Sequence, residues 1–302
     1  LSNAAASAQT GRVVAAHGRQ VMVETPAGER VRCQTRGKKS ELVVGDLVHW
    51  LPTGDGGVVE ALQPRRNLLY RQDEWRTKSF AANLDQVLVL VAGEPMFSES
   101  QLTRALIAAR AEGIPVSIGL NKTDLPAAAT ARERLAPYRA MGVPVLELAL
   151  KTEPEAARAL LGPLLAGRST LVLGPSGTGK STLINLLVPQ AAAVVGEISQ
   201  ALQSGRHTTT STTWYWLDES RSTALIDSPG FQEFGLHQIE PSQLAALMPD
   251  LAAALGQCRF HNCTHRHEPG CGVLAAAERG EISPWRMRIY GALFEELSRT
   301  RY

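Results

Sequence analysis

Asn121-Lys122-Thr123-Asp124 stands about 50 positions ahead of Gly174-Pro175-Ser176-Gly177-Thr178-Gly179-Lys180-Ser181, and no other feature restricts the fold so tightly. In the later segment the glycines let successive backbone N–H groups turn toward a phosphate at the start of a helix, whose dipole favours negative charge. Lys180 would reach the β and γ oxygens, Ser181 would ligate Mg²⁺, and the cradle runs on to Thr182. The flanks agree: Ser169-Thr170-Leu171-Val172-Leu173 reads as a short apolar strand and residues 181–187 as an apolar helix. In the ordinary order of such motifs the phosphate loop comes first. The chain is therefore expected to be permuted, cut elsewhere in the pocket-bearing sheet and rejoined at ends that lie close together.

Asn121-Lys122-Thr123-Asp124 alone would say little, because four common residues recur in many loops. Here it follows Ile114-Pro115-Val116-Ser117-Ile118-Gly119-Leu120, a buried-strand pattern, and so lies at a strand's carboxyl end, where α/β sheets bind ligands. The Asp124 carboxylate can accept from the N1–H and 2-amino groups of guanine, a donor pair that adenine lacks. Buried polar groups left unpaired are costly, so one carboxylate can set base choice. Asn121 and the stem of Lys122 would hold the loop and cover the base, with Thr123 completing the tetrad.

Downstream, Thr223-Ala224-Leu225-Ile226-Asp227 is an apolar strand ending in a carboxylate, followed by Ser228-Pro229-Gly230. Asp227 would hold Mg²⁺ through water and the Gly230 N–H would sense the γ-phosphate; the alternative is a plain strand-to-turn aspartate. Between lies Gly205-Arg206-His207-Thr208-Thr209-Thr210, a polar stretch without periodicity, as expected of a switch loop in which Thr209 completes the metal shell. Phe231 occupies the position where many P-loop hydrolases carry a water-orienting glutamine, and a phenyl ring cannot do that work. Either intrinsic hydrolysis is slow or another group acts. His207 is the nearest candidate, against the alternative of a solvated loop histidine, and His237 is a second.

Cys258, Cys263, His265 and Cys271 gather three thiols and an imidazole within 14 residues. Zn²⁺ takes four such ligands in a tetrahedron, and closed sites of this kind are structural. Only Cys33 of the four cysteines lies outside the cluster, which argues against a secreted disulfide framework. His261 and His267 are alternatives to His265 on spacing alone.

The chain has 302 residues and 44% hydrophobic content, enough for two or three domains with real cores. It shows no apolar run of membrane-spanning length and no secretory pattern, so an intracellular, multi-domain protein is expected. Residues 1–10 read as a tag remnant or disordered lead. Short alternating segments at 12–15, 20–24, 30–33, 46–51 and 57–62 predict an OB-type β-barrel over 11–63, a fold often used on RNA. Residues 1–80 carry 12 Lys+Arg against 8 Asp+Glu, which raises a nucleic-acid reading, yet Trp50 is the only aromatic from 11 to 62. Backbone contacts by Lys and Arg are therefore expected rather than base stacking. Residues 64–83 read as a basic linker. From 84 to 239, strands alternate with helical stretches, which predicts a mostly parallel sheet. Residues 240–302 read as a helical zinc-binding domain, with helices at 241–248 and 283–300.

Barrel, tetrad, phosphate loop, Gly205 to Thr210, Asp227 to Gly230 and the cysteine cluster, in this order, resemble the RsgA family of circularly permuted GTPases over nearly the whole chain from residue 11. The resemblance implies a multi-domain α/β architecture: an OB-type barrel, a central permuted P-loop GTPase domain and a C-terminal zinc domain. It implies GTP hydrolysis in late maturation of the small ribosomal subunit, stimulated by that subunit, with rRNA contacted through barrel and zinc domain. The alternative is a nucleotide-sensing RNA-binding module with negligible turnover. The partners it implies are GTP, GDP and the small subunit with its rRNA, for a monomeric cytoplasmic protein that needs no membrane. The cofactors are one structural Zn²⁺ and Mg²⁺ with GTP. In that family the histidine matching His207 has been proposed as catalytic, and a hydrophobic residue stands where Phe231 does. Two departures are visible: valine is usual at Thr178, and the loop supporting the guanine commonly starts with serine and alanine, against Leu148-Ala149-Leu150-Lys151 here. The Ala149 or Leu150 N–H could still reach the guanine carbonyl.

Overall fold

The computed structural model describes residues 7–35, 42–72, 77–201, 212–228 and 234–299. Five alternating strands open the chain: β1 (Gln9–His17), β2 (Gln20–Glu24), β3 (Arg30–Thr35), β4 (Leu47–Thr53) and β5 (Gly56–Leu62). They pair in the order β1-β2-β3-β5-β4, and β4 returns to β1, so the sheet closes into a barrel with no free edge. Val13, Val21, Val23, Cys33, Val48, Trp50 and Val59 fill it. Trp50 is thus core, and the barrel strands carry no other Phe, Tyr or Trp for stacking.

Within the stretch expected as a linker, 64–83, β6 (Leu68–Gln72) and β7 (Thr77–Ala82) pair as an antiparallel ribbon. Leu69, Phe80 and Ala81 turn inward, an apolar pattern that the neighbouring charges obscure in the sequence. Two of the basic residues act as anchors here. Arg65 forks onto the fully buried Asp46 carboxylate at 2.7 and 2.9 Å, and Arg66 donates to the Asn83 carbonyl and to Asp85, each at 2.9 Å.

The central elements follow in alternation: β8 (Gln86–Ala92), α1 (Glu99–Ala111), β9 (Val116–Asn121), α2 (Ala128–Ala140), β10 (Val145–Glu147), α3 (Pro154–Leu165), β11 (Ser169–Leu173), α4 (Lys180–Leu187), α5 (Ala191–Ala201), β12 (Thr213–Trp216) and β13 (Ala224–Asp227). The sheet runs β10-β9-β8-β11-β13-β12, all parallel except β12 against β13. Buried on both faces, β8 is apolar from Val87 to Ala92. Its Val87, Val89 and Val91 pack under α1 and α2, while Leu88 and Leu90 pack against α3 and α4, as the two-residue period of a strand requires. Ser98 caps α1 by accepting from the Gln101 N–H, with Glu99 in the first turn and Arg110 in the last, each suited to the helix dipole.

The permutation is visible in this order. β11 lies between β8, which precedes it in the chain, and β13, which follows it. The carboxyl ends of β9, β11 and β13 share one edge even though β9 comes first. The barrel joins this sheet where Ala15 of β1 pairs with Thr213 of β12. Glu24 of β2, 5% exposed, accepts from Trp216 Nε1 and from Arg30 Nε, and the Arg12 guanidinium lies 4.5 Å from the Trp214 ring centroid.

Beyond β13, residues 241–247 form two 3₁₀ turns rather than the single helix expected. Leu244 and Met248 are buried, and Pro249 opens the short α6 (Pro249–Ala252), leaving no room for a longer helix. Next come α7 (Gly272–Glu278) and α8 (Pro284–Arg299), whose buried residues Arg286, Tyr290, Leu293 and Leu297 recur at helical spacing. Arg286 forks onto Asp250 at 2.5 and 2.6 Å and donates to Thr103 of α1 at 2.9 Å, tying this region to the sheet's helical layer.

Candidate nucleotide pocket and metal centre

A cavity of about 800 Å³ opens at the carboxyl edge of the sheet. Asn121, Lys122 and Asp124 line one side, Pro175, Ser176, Gly177, Gly179, Lys180, Ser181 and Thr182 the other, and Leu125, Leu150, Lys151 and Thr152 complete it. Residues expected at opposite ends of one ligand thus face one space. Gly174, Thr178 and Thr123 do not line it.

Asn121 explains how the two halves are held. Only 4% exposed, it donates from Nδ2 to the Thr178 carbonyl at 2.8 Å and accepts at Oδ1 from the Leu150 N–H at 3.1 Å. One carboxamide therefore ties the tetrad to the glycine loop and to the loop after β10. That bond also engages the Leu150 N–H, which the sequence had offered to the base. Gly179 is required at this crossing: its φ is +106°, and an added Cβ would lie 2.3 Å from Asn121 Nδ2. Likewise a Cβ on Gly174 would meet the Leu90 carbonyl oxygen at 2.3 Å.

Thr123 donates from its N–H and its hydroxyl to the Leu148 carbonyl, both at 3.1 Å, and Lys122 Nζ donates to the Glu94 carbonyl at 2.7 Å. Asp124 stays exposed to the cavity. The Thr178 hydroxyl, fully buried, donates to the Pro175 carbonyl at 2.9 Å, so the place of the usual valine is filled without an unpaired polar atom.

Lys180 begins α4, and Asp227 ends β13 beside Val172 of the loop-bearing strand. Burial raises the Asp227 carboxyl above its ordinary range, and the charge of Lys180 pulls the other way. Asp227 is half-buried within electrostatic reach of Lys180, the first residue of the helix that carries the exposed Ser181. His207, Thr209, Gly230 and Phe231 lie outside the described residues. His237 is described: it is exposed and packs edge-on against Tyr70, with ring centroids 5.0 Å apart.

The second centre lies between 258 and 271. The ligand atoms of Cys258, Cys263, His265 and Cys271 all fall within 4.8 Å of one another, and His265 Nδ1 is 3.5 Å from Cys258 Sγ and 3.4 Å from Cys271 Sγ. His261 and His267 are exposed and outside the group. The loop is shaped locally: His265 takes a φ of +57°, and the Glu268 carboxylate accepts from the N–H groups of Thr264, Arg266 and His267. Burial opposes that charge, but these bonds and the Thr264 hydroxyl hold Glu268 well below its usual range. Burial pushes the Cys263 thiol up to about 12, with the neighbouring thiols adding to it. Three thiols and an imidazole packed this closely can hold a metal ion.

A parallel sheet whose carboxyl edge carries a phosphate loop, completed by a loop from earlier in the chain, defines a circularly permuted P-loop nucleotide-binding protein. The sequence model of the RsgA GTPase family matches residues 62–237. The chain is 64% identical over 297 residues to the small ribosomal subunit biogenesis GTPase RsgA of Variovorax paradoxus (strain S110), covering 97% of this chain and 93% of that protein. It is 54% identical over 292 residues to the protein of the same name from Burkholderia pseudomallei (strain K96243), covering 95% and 92%. Among solved structures it is similar to YjeQ from Thermotoga maritima, with a TM-score of 0.74, 30% identity and coverage of 97% and 99%. YloQ, a circularly permuted GTPase, shares the fold at a TM-score of 0.70 and 24% identity, over 100% and 99%. The chain belongs to the RsgA GTPase family.

Sequence reasoning did not assign Leu125 or Thr152 to the pocket, and placed Lys151 only within the segment that supports the guanine. Thr152 follows the Leu148–Lys151 segment in the loop between β10 and α3, and that strand-then-loop position was the available signal. Among the described residues no helix is long and apolar enough to cross a membrane.

Proposed function

We propose that the protein hydrolyses GTP to GDP and phosphate during late maturation of the small ribosomal subunit, stimulated by that subunit and binding its rRNA. The observation that carries the reading is the Asn121 carboxamide, which fixes the Asp124 loop and the Lys180 loop around one cavity. In this reading Asp124 accepts from the guanine N1–H and 2-amino groups, with Asn121, Lys122 and Thr123 supporting it. The backbone from Gly174 through Thr182 holds the phosphates and Lys180 neutralises the β and γ oxygens. Ser181, Thr209 and a water on Asp227 would hold Mg²⁺, which when bound offsets charge on the phosphates. The Gly230 N–H contacts the γ-phosphate and His207 orients the attacking water. Zinc is the metal assigned to Cys258, Cys263, His265 and Cys271, since this donor set makes a closed structural site.

The names of the relatives support the subunit as partner. For rRNA, the reading relies on the barrel and on the metal loop, where Arg259, Phe260, His261, Arg266 and His267 are exposed. It takes the domains as 11–63, 84–239 and 240–302, with 64–83 joining the first two. It places a monomer in the cytoplasm, where the subunit named for the relatives is assembled.

Phosphate release from GTP and from ATP, each with and without small subunits, tests base, reaction and partner together. GTP turnover that rises with subunits is expected; no rise, in protein shown to bind GTP, removes the reading. In the same assay His207→Ala should lower stimulated turnover and leave nucleotide affinity nearly intact, whereas full stimulated turnover returns His207 to a solvated loop residue. Asn121→Ala would leave the Thr178 carbonyl and the Leu150 N–H unpaired, at about 1–3 kcal/mol each. Titration with GDP should then show affinity lower by about ten- to a hundredfold, and an unchanged affinity would deny the bridge its role.

A further inference from the structure

At the opposite end of the sheet, where Gln86 starts β8, Val116 starts β9 and Arg168 precedes β11, a hollow of about 560 Å³ opens away from the nucleotide pocket. Its floor is apolar, with Leu106, Met141, Val143, Leu164 and Leu247 half-buried in it. Met141, just after α2, and Pro249, which opens α6, also line a second hollow of about 520 Å³, so the two hollows adjoin there and together make a furrow. The carboxylates lining the second hollow are taken: Asp250 by Arg286 and Glu281 by Arg279. The first is lined by no carboxylate at all. Its two charged residues, Arg110 and Arg168, are exposed and face no carboxylate among the described residues; Arg168 donates only to Gln86 Oε1, at 3.1 Å.

Apolar floor and uncompensated cations together fit an occupant with apolar side chains and carboxylates. Neither hollow is lined by an aromatic ring, so the stacking that single-stranded nucleic acid uses is missing. Two joined hollows suit a linear occupant better than a compact one. We propose that this furrow seats an extended, acidic and apolar segment of a protein partner, its carboxylates on Arg110 and Arg168. The furrow is separate from the GTP pocket, so such a partner can bind whatever the nucleotide state.

The test is selection from a phage-displayed library of random decapeptides on the full chain, with the enriched peptides synthesised, labelled and titrated by anisotropy. Enriched peptides should alternate Asp or Glu with Leu, Ile, Val or Phe, and should bind Arg110→Glu/Arg168→Glu at least about tenfold more weakly. Basal GTP turnover of that variant, whose substitutions lie outside the nucleotide pocket, should match the parent and so report folding. No enrichment, enrichment of basic peptides, or equal binding to the variant overturns the proposal. So does labelled oligouridine that binds the parent, loses binding in the variant and displaces the peptides, which would make the furrow an RNA site.

Discussion

Asp124→Asn is expected to erase the preference for GTP over ATP and to weaken GTP binding by about two to three orders of magnitude. The loop that carries Asp124 is fixed by bonds that do not involve its side chain: both Thr123 donors reach Leu148, and Asn121 bridges to Thr178 and Leu150. The substitution therefore leaves the pocket's shape and changes only what it offers the base. A carboxylate presents two acceptors to the N1–H and 2-amino donors of guanine, whereas a carboxamide sets an N–H₂ against one of them. By the same logic the variant should gain affinity for xanthosine triphosphate, whose ring has a carbonyl in place of the 2-amino group. Competition titrations with the three nucleotides read all of this at once. An unchanged GTP-over-ATP ratio would remove Asp124 from base recognition.

Removing the metal should have the second largest effect, and a local one. Binding of structural zinc contributes on the order of 10–16 kcal/mol to small sites of this kind, comparable to the whole stability of a domain. Apart from the ligands, the loop from Cys258 to Cys271 is held only by polar contacts, the turn around Glu268, the Tyr290 hydroxyl on the Thr264 carbonyl and Arg266 on Glu295, while its buried residues, Cys271 and His265, are both ligands. Elemental analysis should find about one zinc per chain. Chelation, or Cys271→Ser, should open residues 258–271 to proteolysis. α8 is anchored independently through Arg286 to Asp250 and Thr103 and by Trp285 against Tyr138, so the sheet and GDP binding should survive. Protein purified without chelator that holds no metal, or a loop equally protected after chelation, would contradict this.

The parts of the fold legible in the sequence were those that bury one continuous pattern. β8, β9 and β11 are apolar runs bounded by breakers, and the glycine loop announces its own strand and helix. β6 and β7 were hidden because their buried residues, Leu69, Phe80, Ala81 and Ala82, show no two-residue alternation, and because Arg65 and Arg66, which suggest a solvated or RNA-facing stretch, pair with Asp46 and Asp85. β12 was missed because Thr213-Trp214-Tyr215-Trp216 earns its place only by pairing with β13 and β1, a long-range fact. In the metal cluster, spacing could not choose among three histidines; burial and the backbone turn at His265 do. In the pocket, the motifs could state which residues contact a nucleotide but not that Asn121 holds two loops together. That bridge exists only once β9 and β11 stand on the same edge.

A crystal structure with a non-hydrolysable GTP analogue and Mg²⁺ tests the central claim most directly. The guanine should lie against Asp124 while the γ-phosphate lies against Lys180, one molecule spanning the cavity that Asn121 closes. A nucleotide that touches only one of these residues, or that lies elsewhere, would contradict the account.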